Sequence, residues 1–580
     1  MNNKKWIPNI LVLFVVCLLV ICFFYPYPKT ASKGIFYDPL TQRIMVDIDS
    51  TVSPVLSVFF PQDYECTNIS FIKDSVLPNN EKGFVEETSV QMDVNLPSES
   101  PTLSANTIIR TFRNGDLFIL VRLFTTETIQ KPIQFTVQSD AILSQNAQAW
   151  SLKYNTNQRP NENEIPDSDF IPFQLSAGMN VLPPSLYYLE MMRSGSPLES
   201  IFAGAVSVYQ KTPTELSNLT TLVRMESQPL IEWSPEKEVS ITSSLSLEAY
   251  QTAESWFFIS KNSLLDFQNE ETYENMKSAD FHLRKKIVKD GILHIASEGQ
   301  YIGASNDRYD YYYTYSGWEG RRFMNLYQKY PEQRFFYDMF VNTVYTVAKA
   351  ASKYGNWPSS HASKYLWDMY KFPKNYIDTR YCTDAGFFLL KAYNDYQIPE
   401  ALYTGKKFGD FLLELAAGKQ KITTENGIFF YDYYHKDFPE AITHASLNHI
   451  LSEMNYLLEL YLATHNEDYL DTAERILSAI EDTEKEWIRN NINDYRWYHD
   501  LWYCVIPQKD ESLFFEYTWD YTKALTYKDL LKSKYLIQSI FNRQNPSLEN
   551  LLKNKAEFLE REGYDVQEIL QEFHKSYPIK

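Results

Sequence analysis

The sequence predicts a membrane-tethered chain of two folded parts, a β-sandwich followed by an (α/α) toroid. Three observations carry that expectation: one long uncharged segment near the N-terminus, a two-residue apolar alternation through the first half, and a change to helical spacing in the second. The 580 residues suffice for two or three domains with sizeable cores. Hydrophobic content of 44% and charged content of 22% are those of a globular chain, so wholesale disorder is excluded.

Residues 1–28 read as a cytosolic stub and transmembrane anchor. Lys4 and Lys5 precede an apolar run over residues 10–25. With Trp6, Ile7 and Pro8 it approaches the roughly twenty residues that span a bilayer. Positive charge ahead of the run favours a cytosolic N-terminus and an extracytoplasmic body, at the cell surface or in a secretory lumen. A cleaved signal peptide is the rival, with its small-residue site near Thr30-Ala31-Ser32. A lipoprotein is disfavoured because Ile21, not a small residue, precedes Cys22.

Residues 34–267 alternate apolar and polar side chains in short runs such as Leu117-Phe118-Ile119-Leu120-Val121-Arg122-Leu123-Phe124, interrupted by clusters such as Pro97 to Pro101. Many short strands between turn formers predict the sandwich. Residues 271–580 take the helical period. Phe336, Phe340, Val344, Val347 and Ala351 share one face, and a longer stripe runs from Leu447 to Leu462. About a dozen such segments in consecutive pairs predict a toroid; stacked helical repeats are the competing architecture. Loops of unlike, polar and aromatic sequence favour the toroid, whose rim would carry a site.

A formal net charge of −19 argues against nucleic acid as a partner. Of five cysteines, Cys17 and Cys22 lie in the apolar run, and Cys66, Cys382 and Cys504 form no metal-ligand spacing, so no metal is expected. The chain holds 43 Tyr, 36 Phe and 11 Trp. Most such rings fill cores, but some suit a groove for sugar rings, whose C–H faces pack on aromatic planes.

Three loop regions are candidates for chemistry. The first, residues 306–320, carries Tyr313 and Trp318 among charges that need partners, and reads either as the wall of a sugar cleft or as a packed loop between domains. The second, Asp378-Thr379-Arg380-Tyr381-Cys382-Thr383-Asp384, offers Arg380 as a two-point clamp for a carboxylate. Thr383 or Asp384 would alternatively cap a following helix. The third, residues 427–450, passes Tyr431 and Tyr433 to Asp437, Glu440 and His444, then reaches Asn448 in the first turns of a helix. An ordinary strand-and-cap connection explains that stretch as well.

The third region, from about Gly427 to Tyr527, resembles the C-terminal domain of D-glucuronyl C5-epimerases. Asp437-Phe438-Pro439 stands where that family has Glu-Tyr-Pro, Leu447-Asn448 opens the helix that reaches Leu457-Leu458-Glu459-Leu460-Tyr461, and Arg496-Trp497-Tyr498-His499-Asp500 is similar to its late turn. His449 replaces an expected glycine, and the family's late Tyr-His-x-x-His has no counterpart beyond Tyr521-Thr522-Lys523. The resemblance implies cofactor-free removal of the proton beside a uronate carboxylate and its return on the opposite face. Tyr498 and Asp437 or Glu440 would be the acid–base pair, His444 an alternative base and Arg380 the carboxylate clamp. Tyr313, Trp318, Tyr431, Tyr433 and Asn448 would line the substrate's path.

Two further readings stay open. Glycoside hydrolysis needs two carboxyl groups across a cleft, and Asp384, Glu425, Asp432 and Glu440 more than supply them; a polysaccharide lyase lies between the two chemistries. A non-catalytic envelope protein that binds a glycan or a partner is the third. The combination of sandwich and toroid is itself common among carbohydrate-active enzymes, a fold-level analogy that decides nothing about chemistry.

Overall fold

The computed structural model describes residues 34–577, apart from several internal stretches of which the longest are 155–167, 277–293, 297–309, 490–499 and 507–519. Strands fill the first half and helices the second. The expected transmembrane helix is not supported. No helix among the described residues is long and apolar enough to cross a membrane, and residues 10–25 lie outside the described residues. The single-pass topology, with its cytosolic N-terminus and extracytoplasmic body, is corrected with it.

Two antiparallel sheets, of seven and thirteen strands, pack face to face. Leu117–Phe124 shows why the larger sheet is buried on both sides. Leu117, Ile119 and Val121 point into the core between the sheets, whereas Phe118 and Leu120 point into a second core shared with the helices. Its neighbour Gln251–Ser260 is buried at every position, with Ala253, Phe257 and Ile259 on the inner side and Trp256 and Phe258 on the helical side. A strand covered on both faces loses the alternation of a half-exposed one. Each such large side chain contributes ~1.5–3 kcal/mol by leaving water. The sheet also extends past the expected boundary, because Asp310–Tyr313 pairs with Asn218–Glu226.

From Trp318 onward the helices among the described residues are α1 (Trp318–Lys329), α2 (Arg334–Ala350), α3 (Lys364–Tyr370), α4 (Thr379–Tyr396), α5 (Pro399–Ala417), α6 (Leu447–Thr464), α7 (Glu467–Trp487), α8 (Asp520–Phe541), α9 (Pro546–Arg561) and α10 (Val566–Ser576). Four hairpins form in succession: α1 packs on α2, α4 on α5, α6 on α7 and α8 on α9. Within them α1, α4, α6 and α8 touch in sequence as one layer, and α2, α5, α7 and α9 as another. Close approach has a specific cause at Gly386 of α4, where an added Cβ would meet the Tyr456 ring of α6 at 2.5 Å. The Tyr456 hydroxyl then donates to the Gly405 carbonyl of α5 at 2.7 Å.

Polar side chains lock α2 and α5 to the sheet. Arg110, wholly buried, donates to Glu87 at 2.7 Å and to Asn342 and Thr346 of α2 at 2.6 and 2.7 Å. Glu400 of α5 accepts the backbone N–H groups of Phe84 and Val85 at 2.7 and 3.2 Å. The sandwich is therefore a platform that fixes the outer helices, and through them the layer that carries the polar centre.

Candidate functional site

The turn before α6 gathers four chain segments around one carboxylate. Asp432 is fully buried between the short strands Ile428–Phe430 and Tyr433–Tyr434. Its carboxylate accepts from the Ser446 amide at 2.8 Å and the Ser446 hydroxyl at 2.5 Å, and lies 3.2 Å from His444 Nε2 and 3.6 Å from His449 Nε2. Burial alone would raise its pKa. The histidines and the Ser446 hydrogen bond outweigh burial and hold it below the usual range. Burial pushes His449 down to about 4, so at neutral pH that ring adds no positive charge beside the carboxylate.

With the His444 ring proton assigned to Nε2, the nitrogen 3.2 Å from Asp432, Nδ1 is an acceptor. The Tyr370 hydroxyl at the end of α3 donates to Nδ1 at 2.7 Å, while its oxygen accepts the His444 backbone N–H at 3.2 Å. Tyr365, one turn earlier, has its hydroxyl 3.5 Å from the same nitrogen. Tyr370 is half-buried, whereas Asp432 and His444 are sealed beneath it. A carboxylate, an imidazole and a phenol thus run from the interior towards the surface, an order that passes a proton along one line. His449 Nδ1 contacts the Thr379 hydroxyl at 2.8 Å, and Thr379 donates its amide to the Asp432 carbonyl at 3.0 Å, which ties the cluster to the first residue of α4.

From there the inner layer carries a row of charges. Arg380 donates to Asp529 of α8 and, at 2.9 Å, to the Asn448 carbonyl; its Nε lies 3.6 Å from Asp384. Arg321 of α1 donates to the Asp384 carbonyl. Lys532 of α8 pairs with Glu459 of α6 at 2.8 Å, and Glu459 accepts from Tyr577 at 3.2 Å. Burial sets two carboxyls here apart from ordinary acids. Asp378, which caps α4 through the Tyr381 amide, is pushed up to about 7. Glu453 of α6 is pushed up to about 8, and the Thr379 hydroxyl opposes that rise only in part. Acid–base centres are built from such separated carboxyls.

The expected residues divide into groups. Arg380 and Asp384 lie together on the inner layer, but the guanidinium expected to clamp a substrate is already held by Asp529. Asp384 lies within α4, which starts at Thr379 with Asp378 as its cap, so neither Thr383 nor Asp384 caps it. His444 joins the buried relay; Tyr433 packs edge-on against His444 and His449, and Tyr431 is half-buried beside Tyr434. Asn448 sits in the first turn of α6, with its backbone carbonyl on Arg380. Asp437 and Glu440 are exposed on the connecting loop. His435 pins the loop by contacting the Lys374 carbonyl at 3.0 Å and accepting the Asp437 amide at 3.1 Å. Tyr313 ends its strand and Trp318 opens α1. Tyr498 lies outside the described residues. Sequence reasoning passed over Tyr370, Glu453 and Asp529, each embedded in an ordinary helical pattern. The one available signal was His449, a histidine where the resembled family has glycine.

No family model and no curated relative matches the chain. Solved structures similar to it include an unsaturated glucuronyl hydrolase specific for heparin, at 12% identity and a TM-score of 0.30, covering 51% of this chain and 68% of that one. A family 76 glycoside hydrolase from a bovine Bacteroides thetaiotaomicron strain is similar at 11% identity and a TM-score of 0.27, covering 75% and 86%. A polysaccharide lyase is similar at 9% identity and a TM-score of 0.22, covering 85% and 75%. Likenesses of this strength carry no argument about activity, which rests on the side chains above.

Proposed function

We propose that this chain is a carbohydrate-active enzyme on a uronate-containing polysaccharide, and that it moves the proton at C5 of a uronate with Tyr370 as the acid–base group. The supporting observation is the Asp432–His444–Tyr370 line. The phenol passes its proton to Nδ1 as its oxygen takes the substrate proton, and Asp432 stabilises the imidazolium that results. The His444 backbone N–H supports the phenolate oxygen at the same moment. Epimerisation also takes a proton on the other face from a second acid or from solvent, whereas a lyase expels the group at C4. No cofactor enters this scheme.

A second reading is favoured by one observation. Asp378, pushed up to about 7 by burial with Asp432 and Asp384 adding to the rise, is about half protonated at pH 7, and an acid of that kind near a carboxylate suits glycoside hydrolysis. One experiment separates the readings. The full chain is incubated in deuterated water with a panel of uronate polymers and neutral glycans. Deuterium at C5 reports proton exchange, an unsaturated product reports elimination, and new reducing ends without unsaturation report hydrolysis. Deuterium incorporation or unsaturation lost on Tyr370→Phe supports the proposal; hydrolysis that survives Tyr370→Phe and fails in Asp378→Asn replaces it.

A further inference from the structure

Asp432 faces a second imidazole besides His444, and that ring has its own hydroxyl and carboxyl behind it. His449 turns Nε2 towards Asp432 at 3.6 Å and Nδ1 towards the Thr379 hydroxyl at 2.8 Å. Glu453 lies one turn beyond His449 on the same face of α6. It is buried, and neither of its oxygens has a normal hydrogen-bond partner. The Thr379 hydroxyl is the donor that reaches towards it. Thr379, itself buried, opens α4, so this contact joins two helices beside the Asp432 turn. The order Glu453, Thr379, His449, Asp432 matches from the other side the order Tyr370, His444, Asp432.

Thr379 has one hydroxyl proton and three acceptors in reach: His449 Nδ1, the Asp432 carbonyl at 3.2 Å, and Glu453. The His449 ring, held down to about 4 by burial, is uncharged at neutral pH and carries one proton on one of its two nitrogens. A protonated Glu453 donates to the Thr379 oxygen. The hydroxyl then donates to Nδ1, and the ring proton stands on Nε2, facing Asp432. An ionised Glu453 instead takes the hydroxyl proton in a charge-assisted bond. The Thr379 oxygen then accepts from Nδ1–H, and Nε2 turns a lone pair towards Asp432. The ring keeps a single proton in both states, and the proton released by Glu453 goes to solvent.

We infer that Glu453 is a positioning residue for the relay: through Thr379 it selects which nitrogen of His449 bears the proton, and so whether Asp432 faces an N–H or a lone pair. The inference rests on the proposed function only for the catalytic meaning of Asp432. A lone pair opposite that carboxylate disfavours the charge that stabilises the His444 imidazolium. Among the described residues, the titratable and charged groups around Glu453 are Asp378 and Arg380 at the start of α4, Asp432 and Tyr434 of the short-strand turn, and His449 on α6. Burial, with Asp432 and Asp378, pushes Glu453 up to about 8 against the opposing Thr379 and Arg380, which puts the change within reach of mild titration.

The test follows the His449 ring nitrogens in the full chain, labelled with heavy nitrogen in histidine, by magnetic resonance from about pH 6 to about pH 9.5. His449→Gln identifies the signals by their loss. The expected result for the parent is a proton on Nε2 at the acid end and on Nδ1 at the alkaline end. Glu453→Gln, of the same shape and unable to ionise, keeps one tautomer throughout, and Thr379→Val likewise loses the pH dependence. A parent tautomer that stays fixed over the interval overturns the inference, and that result needs no variant to fold. A change that persists unaltered in Glu453→Gln overturns it as well. The kcat for C5 exchange, measured alongside, should fall at the parent's tautomer midpoint and not in Glu453→Gln, with KM unchanged. A tautomer change in a chain that exchanges no C5 proton removes the reaction and leaves the coupling of Glu453 to Asp432 standing, whereas exchange with a fixed tautomer removes this inference alone.

Discussion

Glu453 gives the sharpest physical prediction. It is buried in the middle of α6 and neither carboxyl oxygen has a normal hydrogen-bond partner. Burial is the larger influence on it, with Asp432 and Asp378 adding to the rise and Thr379 and Arg380 opposing. A folded pKa of about 8 against an ordinary glutamate value of 4.5 means that the folded chain holds a proton which the unfolded chain releases between those limits. Stability from this group is complete below the unfolded value and falls by ~1.4 kcal/mol per pH unit as pH rises towards the folded one. Across about three units, from pH 5 to 8, the loss is roughly 4 kcal/mol. Glu453→Gln keeps the shape and removes the titration, so it should overtake the parent as pH rises. Urea unfolding of both proteins at each pH, followed by tryptophan fluorescence, measures the difference. Parallel stability curves over that interval would refute the reasoning.

Other substitutions test other joints. Glu400→Ala orphans the Phe84 and Val85 amides, costs about 2–4 kcal/mol, and should speed limited proteolysis between sheet and helices. Arg110→Ala strands the buried Glu87 carboxylate and should cost about 3–5 kcal/mol in thermal unfolding. Asp432→Asn should cost a similar ~3–5 kcal/mol at pH 7. Because the Asp432 pKa is depressed in the fold, that difference is present above the unfolded value and shrinks as pH falls through the folded one, which acid titration of both proteins will show.

The sequence revealed periodicity well and partnership poorly. The apolar run at Leu117–Phe124 and the stripe from Leu447 to Leu462 mark their elements because nearly every position in each is buried. Gln251–Ser260 is less legible, since both faces are covered and no alternation survives. The partners of charged residues lie beyond local patterns for a physical reason. Arg380 looked available for a ligand, yet its partner Asp529 lies 149 positions away on another helix, beyond any local pattern. Asp437 and Glu440, drawn from the resemblance at Asp437-Phe438-Pro439, stand exposed on a loop that His435 pins. Asp432, two residues from Tyr434 in a run of aromatics, became the buried centre because Ser446 and two histidines close around it.

Exchange of the C5 proton, measured by magnetic resonance on a uronate polymer in deuterated water with the parent protein and Tyr370→Phe, addresses the relay most directly. Parent-dependent exchange or elimination that drops at least about a hundredfold in the variant, while anionic saccharide binding persists, is the predicted result. Turnover unchanged by removal of that single hydroxyl would contradict it.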